Sequence, residues 1–362
     1  MLSFAMVLGF LLTLLFSILL IPIASKIQLV DKPTERKNHI GSVPLVGGWA
    51  MYLAVLTTLL FAYNLSLSSI DYALWFCATL LVIIGSLDDK YDIDFRWRIG
   101  VQVLVGAVTV FGAGLIVYDL GNLVGLGNLA LGSLGVFFTV WAILGLINAF
   151  NMIDGIDGLS AGLGIIALGF IYFSANGDFQ PRHEFGFLLL IGALVAYLSM
   201  NLHLFPRVLS KIFMGDAGAM LLGFVIAVLA VKYSQGPDAY LKPITILYFV
   251  AVPVMDVIVT MIRRVRHGRS PFFPDKTHVH HIFLKAGYSQ REALLFILGV
   301  QFVVASIGYA LNGFDGLEWL SFAGFLALFF VYNKIINRAF LVSKILSREV
   351  FFPKRVKRKE KI

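Results

Sequence analysis

Residues 72–94, YALWFCATLLVIIGSLDDKYDID, hold a nearly uninterrupted apolar run that ends in the acidic doublet Asp88-Asp89. The run from Tyr72 to Leu87 is apolar enough for a membrane-crossing helix, although it is short for one. Two adjacent carboxylates at the mouth of a membrane helix are costly to keep there, so by default they mark a functional site. The alternative is a pair of acids that simply ends a helix in a solvated loop.

The composition of the whole chain indicates what kind of protein carries this doublet. Of the 362 residues, 59% are hydrophobic and 14% are charged, and the mean hydropathy is +0.87. A soluble domain of this length is less apolar, so we predict an all-α polytopic membrane protein. About eleven transmembrane helices are expected, at Phe4–Ser25, Leu45–Tyr63, Tyr72–Leu87, Ile99–Val117, Leu134–Ile147, Leu159–Ala175, Phe185–Met200, Ala217–Lys232, Pro243–Ile262, Ala293–Leu311 and Leu317–Asn333.

The 29 Lys and Arg residues predict the orientation of these spans. With the N-terminus outside, 26 of them fall in inner connections or the C-terminal tail, and only Arg182, Lys232 and Lys242 fall outside. This asymmetry follows the positive-inside rule and places the C-terminus in the cytoplasm. It also accounts for the net charge of +8 without a nucleic-acid partner. Because no Lys or Arg precedes Lys26, the first span is expected to be retained rather than cleaved as a signal peptide.

The predicted organisation is one transmembrane catalytic domain, residues 1–334, followed by a basic cytoplasmic tail, residues 335–362. The Lys and Arg of the tail suit an anchor on anionic lipid, at about 1 kcal/mol each. Cys77 is the only cysteine, so an intrachain disulfide is excluded. The sequence does not determine the oligomeric state, and a homodimer is one expectation.

Acidic residues concentrate in three of the predicted inner connections. They are Asp88, Asp89, Asp92, Asp94, Asp154, Asp157 and Asp216. Clustered carboxylates repel one another and cannot bind an anionic substrate unless a cation lies between them. Hard oxygen ligands select Mg²⁺ or Mn²⁺, whose coordination is completed by phosphates and waters. We therefore expect the substrate to be a phosphate compound.

Basic residues of the inner connections would neutralise further phosphate charge. The candidates are Lys32, Arg36, Lys37, Arg263, Arg264 and Arg266, of which Lys32 and Arg36 are predicted substrate-binding residues of the first inner connection. For each of them taken alone, ordinary positive-inside anchoring is the favoured explanation.

The segment NAFNMIDGIDGLS has three interpretations. If it begins a helix, Asp154 and Asp157 share one face, and Asn148 and Asn151 repeat that spacing one turn earlier. Helix caps or a pair of tight Asp-Gly turns would give a similar pattern. Asp216 in FMGDAG is likewise either an N-cap or a metal ligand presented by a helix start.

The segment HVHH at residues 278–281 is the remaining cluster. His278 and His280 point the same way if the segment is extended, and Pro271 and Pro274 argue against a long helix there. No cysteine accompanies these histidines and the acids suit a harder cation than zinc. We expect the histidines to contact phosphate or sugar.

Five motifs in order give the chain a family resemblance. VDKPTERKNH with PLVGG, LDDKYD, NAFNMIDGIDGL, FMGDAG and SPFFPDKTHVHH resemble the polyprenyl-phosphate N-acetylhexosamine-1-phosphate transferases. The likeness is collinear over roughly residues 29–290, and all five motifs lie on the predicted inner side. It implies a multi-pass protein of the bacterial inner membrane, with a cytoplasmic active site that uses Mg²⁺ or Mn²⁺.

The resemblance also implies roles for single residues. Asp88 and Asp89 match the catalytic doublet that handles the lipid phosphate, with Asp88 either deprotonating it or attacking the sugar nucleotide. Asp216 and Asn151 match the metal site. The positions matched to sugar-nucleotide binding are Asp154, Asp157, Arg264, His278, His280 and His281.

The implied reaction transfers GlcNAc 1-phosphate from UDP-GlcNAc to undecaprenyl phosphate, the first membrane step of a cell-surface glycan of O-antigen, common-antigen or teichoic-acid type. The phospho-MurNAc-pentapeptide branch usually has three consecutive histidines where this chain has HVHH, so the GlcNAc branch is favoured.

A sister transferase for another UDP-sugar, UDP-GalNAc or the MurNAc-pentapeptide nucleotide, would keep every motif except the specificity loop. A secondary transporter is the rival from a different class, and it predicts charges near the bilayer midplane and repeats in the two halves. Neither is evident in the sequence.

Overall fold

The computed structural model describes residues 2–32, 41–62, 68–175, 177, 179, 181–236, 239–271 and 278–338. Within these ranges the chain forms thirteen helices: α1 (Leu2–Lys26), α2 (Gly47–Ala62), α3 (Ser69–Tyr91), α4 (Phe95–Phe111), α5 (Leu134–Ile153), α6 (Leu159–Ser174), α7 (Pro181–Asn201), α8 (Gly215–Ser234), α9 (Pro243–Phe249), α10 (Ala251–Arg266), α11 (Val279–Lys285), α12 (Gln290–Asn312) and α13 (Glu318–Asn337). Two short antiparallel strands, β1 (Val30–Asp31) and β2 (Val43–Pro44), pair with Val30 opposite Pro44.

The helical membrane architecture predicted from the sequence is confirmed. Each predicted span coincides with a helix, or with the pair α9 and α10. In the described part of the chain, seven helices are long and apolar enough to cross a membrane, and eight if the bent pair counts as one span. They are α1, α3, α5, α7, α8, α12 and α13. The total of eleven spans and their orientation remain predictions.

The span predicted over Pro243 to Ile262 is broken in the structure, where α9 and α10 meet at 84°. A broken helix exposes backbone groups that need partners at membrane depth. Gln301 of α12, which is fully buried, donates to the carbonyls of Tyr248 and Phe249 at 3.0 and 2.9 Å. Its Oε1 accepts from the N–H of Val252 at 2.8 Å. The Gln301 side chain therefore provides hydrogen-bond partners for three backbone groups at the break.

Helix α8 lies at the centre of the bundle, with 78% of its apolar stretch buried. Glycines let α2 and α3 close tightly on its first turn. A Cβ at Gly48 would lie 2.4 Å from the nitrogen of Gly218, and one at Gly85 would lie 2.4 Å from the nitrogen of Ala217. Real Cβ atoms do not approach so closely, so these two positions require glycine. The start of α8 is thereby held beside the end of α3.

The short hairpin fixes the chain that leads into α8. The N–H of Phe213 donates to the Pro44 carbonyl, and the N–H of Gly47 donates to the Phe213 carbonyl, both at 2.9 Å. The PLVGG motif therefore packs directly against the FMGDAG motif, although they are far apart in the sequence.

Candidate active site

Asp88 and Asp89 lie in the last turn of α3, and Asp216 lies in the first turn of α8. The backbone N–H of Asp216 donates to Oδ1 of Asp89 at 3.0 Å. Gly215 has φ of +69°, and a Cβ there would lie 2.4 Å from Oδ2 of Asp89. A helix N-terminus favours negative charge, so the start of α8 is a suitable partner for this carboxylate. The structure brings the acidic doublet and Asp216 together, as the motifs predict.

Arg98 joins the same cluster from the first turn of α4. Its guanidinium donates to Asp88, which is buried, and its Nη1 lies 3.2 Å from Oδ2 of Asp216. The connection between α3 and α4 positions it, since Asp92 ends α3 in the left-handed region and Asp94 caps α4 by accepting from the N–H of Arg96. Sequence reasoning counted Arg98 only as an inner-side cation. The sequence signal for a pairing was its position at the start of the helix that follows the acidic doublet.

Asn151 reaches the cluster from the last turn of α5, where its Nδ2 donates to Oδ1 of Asp216 at 2.9 Å. Asn148, one turn earlier, instead donates to Oε1 of Gln102 at 2.7 Å. Of these two asparagines, the structure therefore places Asn151 at the cluster and turns Asn148 toward α4.

The residues from Asp154 to Gly158 form a loop between α5 and α6, so the helical interpretation of this segment is wrong. Asp154 is the C-cap of α5, and Gly158 has φ of +79°, which a helix interior does not permit. The turn interpretation is confirmed at Asp157-Gly158, whereas Asp154 ends α5 as its C-cap rather than acting as an N-cap. We call residues 154–158 the DG loop.

Charge in the DG loop is only partly neutralised. Asp157 pairs with Nζ of Lys211 at 2.5 Å, a lysine that sequence reasoning counted only as an inner-side cation. Asp154 is partly buried, and burial raises its pKa to about 7, helped by the nearby carboxylates of Asp157 and Asp89 and opposed by a hydrogen bond from the backbone of Ser160. The loop therefore lies within electrostatic reach of the doublet.

The histidine segment is not extended throughout, because α11 begins at Val279, directly after the N-cap His278. His278 is buried, and its Nδ1 lies 2.6 Å from Oδ2 of Asp256 on α10. Oδ1 of Asp256 accepts from the N–H of Val279 at 3.0 Å and from the hydroxyl of Tyr332 at 2.6 Å. Asp256 was missed from the sequence, although an acid inside an apolar run is itself a signal of function.

His280 is 1% exposed, and its ring lies parallel to that of His278 with 6.0 Å between centroids. A Cβ at Gly155 would lie 2.3 Å from Nε2 of His280, so the ring rests on the DG loop. Burial lowers the pKa of His280 to about 3, with further contributions from His281 and His278. His280 is therefore neutral near pH 7. His281 is partly exposed, 4.1 Å from His280 between ring centroids.

The remaining basic candidates lie elsewhere. Arg264 is 4% exposed and donates to the carbonyl of Pro271 at 2.6 Å. Lys32 is exposed just after β1 and, in the described part of the chain, forms no ion pair with the acidic cluster. Arg36 and Lys37 fall outside the described residues.

The donor atoms of the cluster fit a hard divalent cation. Asp88, Asp89, Asp216 and Asn151 supply carboxylate and amide oxygens, and Arg98 offsets only part of the negative charge. Within the described ranges, no three His, Cys, Asp or Glu residues form a ready-made metal cage. Mg²⁺ needs only one or two protein ligands when phosphates and waters complete its shell. The set therefore suits a cation that binds together with a phosphate substrate.

Comparisons with known proteins identify the family of the chain. Residues 72–234, which contain the doublet, the DG loop and Asp216, match the family model described as glycosyl transferase family 4. The chain is similar to the undecaprenyl-phosphate alpha-N-acetylglucosaminyl 1-phosphate transferase of Escherichia coli K12, with 38% identity over 94% of this chain and 92% of the relative. The enzyme of that name from Yersinia pestis is 37% identical over 97% of this chain and 95% of its own length. The one from Pasteurella multocida is 40% identical over 94% of both chains. These relatives confirm the resemblance to the polyprenyl-phosphate transferases. The chain belongs to glycosyl transferase family 4.

Proposed function

We propose that this protein transfers GlcNAc 1-phosphate from UDP-GlcNAc to undecaprenyl phosphate. A phosphate oxygen of the lipid attacks the β-phosphorus, the bond to the bridging oxygen of UMP breaks, and undecaprenyl-diphospho-GlcNAc and UMP result. The observation that carries the proposal is the hydrogen bond from Asp216 to Asp89, which joins two inner motifs at one point. The names of the relatives support undecaprenyl phosphate as the acceptor and GlcNAc 1-phosphate as the transferred group.

Asp88 and Arg98 would act on the lipid phosphate. Asp88 is the proposed base that keeps this phosphate deprotonated, and Arg98 is positioned to offset charge where the two anions meet. A covalent route through Asp88 is the alternative.

Asp216 and Asn151 would hold Mg²⁺ or Mn²⁺, which when bound neutralises charge on the diphosphate. Arg98 and Asn151 orient the Asp216 carboxylate by bonding one oxygen each. Most of the catalysis would be positioning and charge neutralisation, as phosphoryl transfer demands little else from a protein.

The DG loop and the large inner connection would bind the donor nucleotide. Asp154 and Asp157 are the candidates for the uridine and diphosphate region, with Lys211 holding Asp157 in place. His281, which is partly exposed, is a candidate contact for the diphosphate or sugar. Arg264, His278 and His280 are buried, so we expect them to act on the donor through the loops they support.

We also propose that the site faces the cytoplasm. The distribution of Lys and Arg supports an outer N-terminus, eleven spans and a location in the bacterial inner membrane. The domain boundary near residue 334 and a homodimeric state remain part of this proposal, and most of the basic tail lies outside the described residues.

The test is incubation of purified protein with Mg²⁺, undecaprenyl phosphate and a panel of UDP-sugars, with UMP release as the readout. Release with UDP-GlcNAc alone is the expected result. Release with UDP-GalNAc or the MurNAc-pentapeptide nucleotide instead would indicate a sister transferase. No release with any sugar would contradict a transferase and favour a transporter.

A further inference from the structure

We propose that Asp256 is a positioning residue, which orients the histidine segment and through it supports the DG loop. The inference rests on the proposed function, because the DG loop is taken as part of the donor site. It assigns different roles to the three histidines of HVHH. His278 and His280 form a buried support, and His281 is the histidine left to contact substrate.

The first step is the environment of Asp256. Asp256 is 1% exposed and lies on α10 within an otherwise apolar stretch. A carboxylate there is costly unless donors surround it. His278, the N–H of Val279 and the hydroxyl of Tyr332 supply these donors, at 2.6, 3.0 and 2.6 Å. Three elements, α10, α11 and α13, therefore meet at one side chain.

The second step is the effect on His278. A carboxylate accepts hydrogen bonds, so the contact to Nδ1 requires the proton on that nitrogen and fixes both tautomer and ring orientation. The bond to the N–H of Val279 fixes the backbone at the same place, the first turn of α11. Asp256 thus sets where α11 begins and how its first histidine ring lies.

The third step carries this orientation to the DG loop. The His278 and His280 rings are parallel within 5°, and both are buried. The Nε2 edge of His280 rests on Gly155, where a Cβ would lie only 2.3 Å away. A shift of α11 would therefore move Gly155 and its neighbour Asp154. His281, on the partly exposed side of α11, would move with it.

The experiment measures steady-state kinetics of the full chain in detergent or nanodiscs, with UDP-GlcNAc and undecaprenyl phosphate varied in turn. Asp256→Asn is expected to raise KM for UDP-GlcNAc by about 10-fold, the loss typical of one hydrogen bond to a charged group. KM for undecaprenyl phosphate should stay within about twofold, since the lipid site lies at Asp88. Equal changes in both KM values, or no change in either, would overturn the proposal.

The variant His278→Asn and the double variant with Asp256→Asn separate positioning from a general structural defect. If Asp256 acts through His278, the double variant should be no worse than the worse single variant. Losses that simply add would overturn the proposal. Asp256→Glu, which keeps the charge, should recover part of the loss, and failure to recover any while the protein stays folded would count against it.

Two further variants keep the test decisive if Asp256→Asn does not fold. Tyr332→Phe removes one donor to Asp256 without changing ring size, and it should raise KM for UDP-GlcNAc in the same direction by a smaller factor. Thr260→Val is the matched control, because Thr260 is buried one turn away on α10 and its hydroxyl has no hydrogen-bond partner among the described residues. Its kinetics should not change. An effect of Thr260→Val equal to that of Tyr332→Phe would contradict a specific role for Asp256.

If no variant and no wild-type protein releases UMP, the proposed function fails instead. The positioning role is then tested by limited proteolysis of the folded protein between α10 and α11. Asp256→Asn should be cut faster than Thr260→Val, and equal rates would overturn the proposal.

Discussion

The backbone N–H of Asp216 donates to the carboxylate of Asp89 at 3.0 Å, although 127 positions separate them in the chain. The contact joins the N-terminus of α8 to the end of α3. The positive end of a helix dipole stabilises a carboxylate, and a helix N-terminus also binds phosphate, so the start of α8 suits both Asp89 and a phosphate substrate. Interference with this contact should therefore affect catalysis more than folding.

Gly215→Ala tests the contact directly. The added methyl would lie 2.4 Å from Oδ2 of Asp89, and alanine is strained at φ of +69° by about 1–2 kcal/mol. We expect transfer to fall by about 100-fold, as for a misplaced catalytic group. The control is Gly145→Ala on α5, where a Cβ meets nothing within 4 Å. Equal activities in the two variants would contradict the prediction.

Arg98→Ala should lower both activity and stability. The buried carboxylate of Asp88 would lose its charged partner, and breaking such a pair costs about 3–5 kcal/mol when both groups are buried. Arg98 is partly exposed, so we expect a smaller loss, about 1–3 kcal/mol in the free energy of unfolding. Arg96→Ala, two positions earlier and exposed, is the control. Denaturant titration and UMP release measure the two effects, and a variant indistinguishable from Arg96→Ala would argue against the bridge.

Burial of neutral His280 predicts a pH dependence of stability. Its pKa is about 3 in the folded protein and about 6.5 when unfolded, so below pH 6.5 the unfolded chain binds a proton that the folded chain does not. Stability should fall as the pH drops from 6.5, by about 2 kcal/mol at pH 5. The groups facing the ring are His278, His281 and Asp256. Melting temperatures from pH 7.5 to 5 should fall less steeply for His280→Gln, and parallel curves would refute the assignment.

Gln301→Leu should destabilise the break between α9 and α10. The leucine leaves the carbonyls of Tyr248 and Phe249 and the N–H of Val252 without their partner. Each unpaired buried group costs about 1–3 kcal/mol, so the melting temperature should fall by several degrees or more. Ser306→Ala on the same helix removes a hydroxyl that bonds only within α12, and it serves as the control. A melting temperature that matches this control would show that the break does not depend on Gln301.

Much of the fold could be predicted from the sequence because long apolar runs fix the membrane helices. The acidic doublet, Asp216 and Asn151 were identified from motifs, and the structure brings these four residues together. The break at Val250 was not predicted. It depends on hydrogen bonds with Gln301 of α12, and the apolar run from Pro243 to Ile262 does not indicate that partner.

The partners of the acids were harder to predict. Arg98 and Lys211 resemble ordinary inner-side cations, and only the tertiary fold pairs them with Asp88 and Asp157. Asp256 differs, because an acid within PVMDVIV was visible as a costly residue. Asp256 lies inside a helix, whereas the motifs of the family resemblance lie at helix ends or in the connections between helices.

The proposed action of Asp88 on the lipid phosphate is tested most directly by Asp88→Asn. The substitution keeps size and shape but removes the proposed base, so the protein should fold while transfer is abolished. Asp92→Asn is the matched control, since Asp92 is exposed and asparagine tolerates its left-handed backbone. The measurement is UMP release with UDP-GlcNAc and undecaprenyl phosphate. We expect no release from Asp88→Asn and nearly normal release from Asp92→Asn, and near-normal turnover by Asp88→Asn would refute the action of Asp88 on the lipid phosphate.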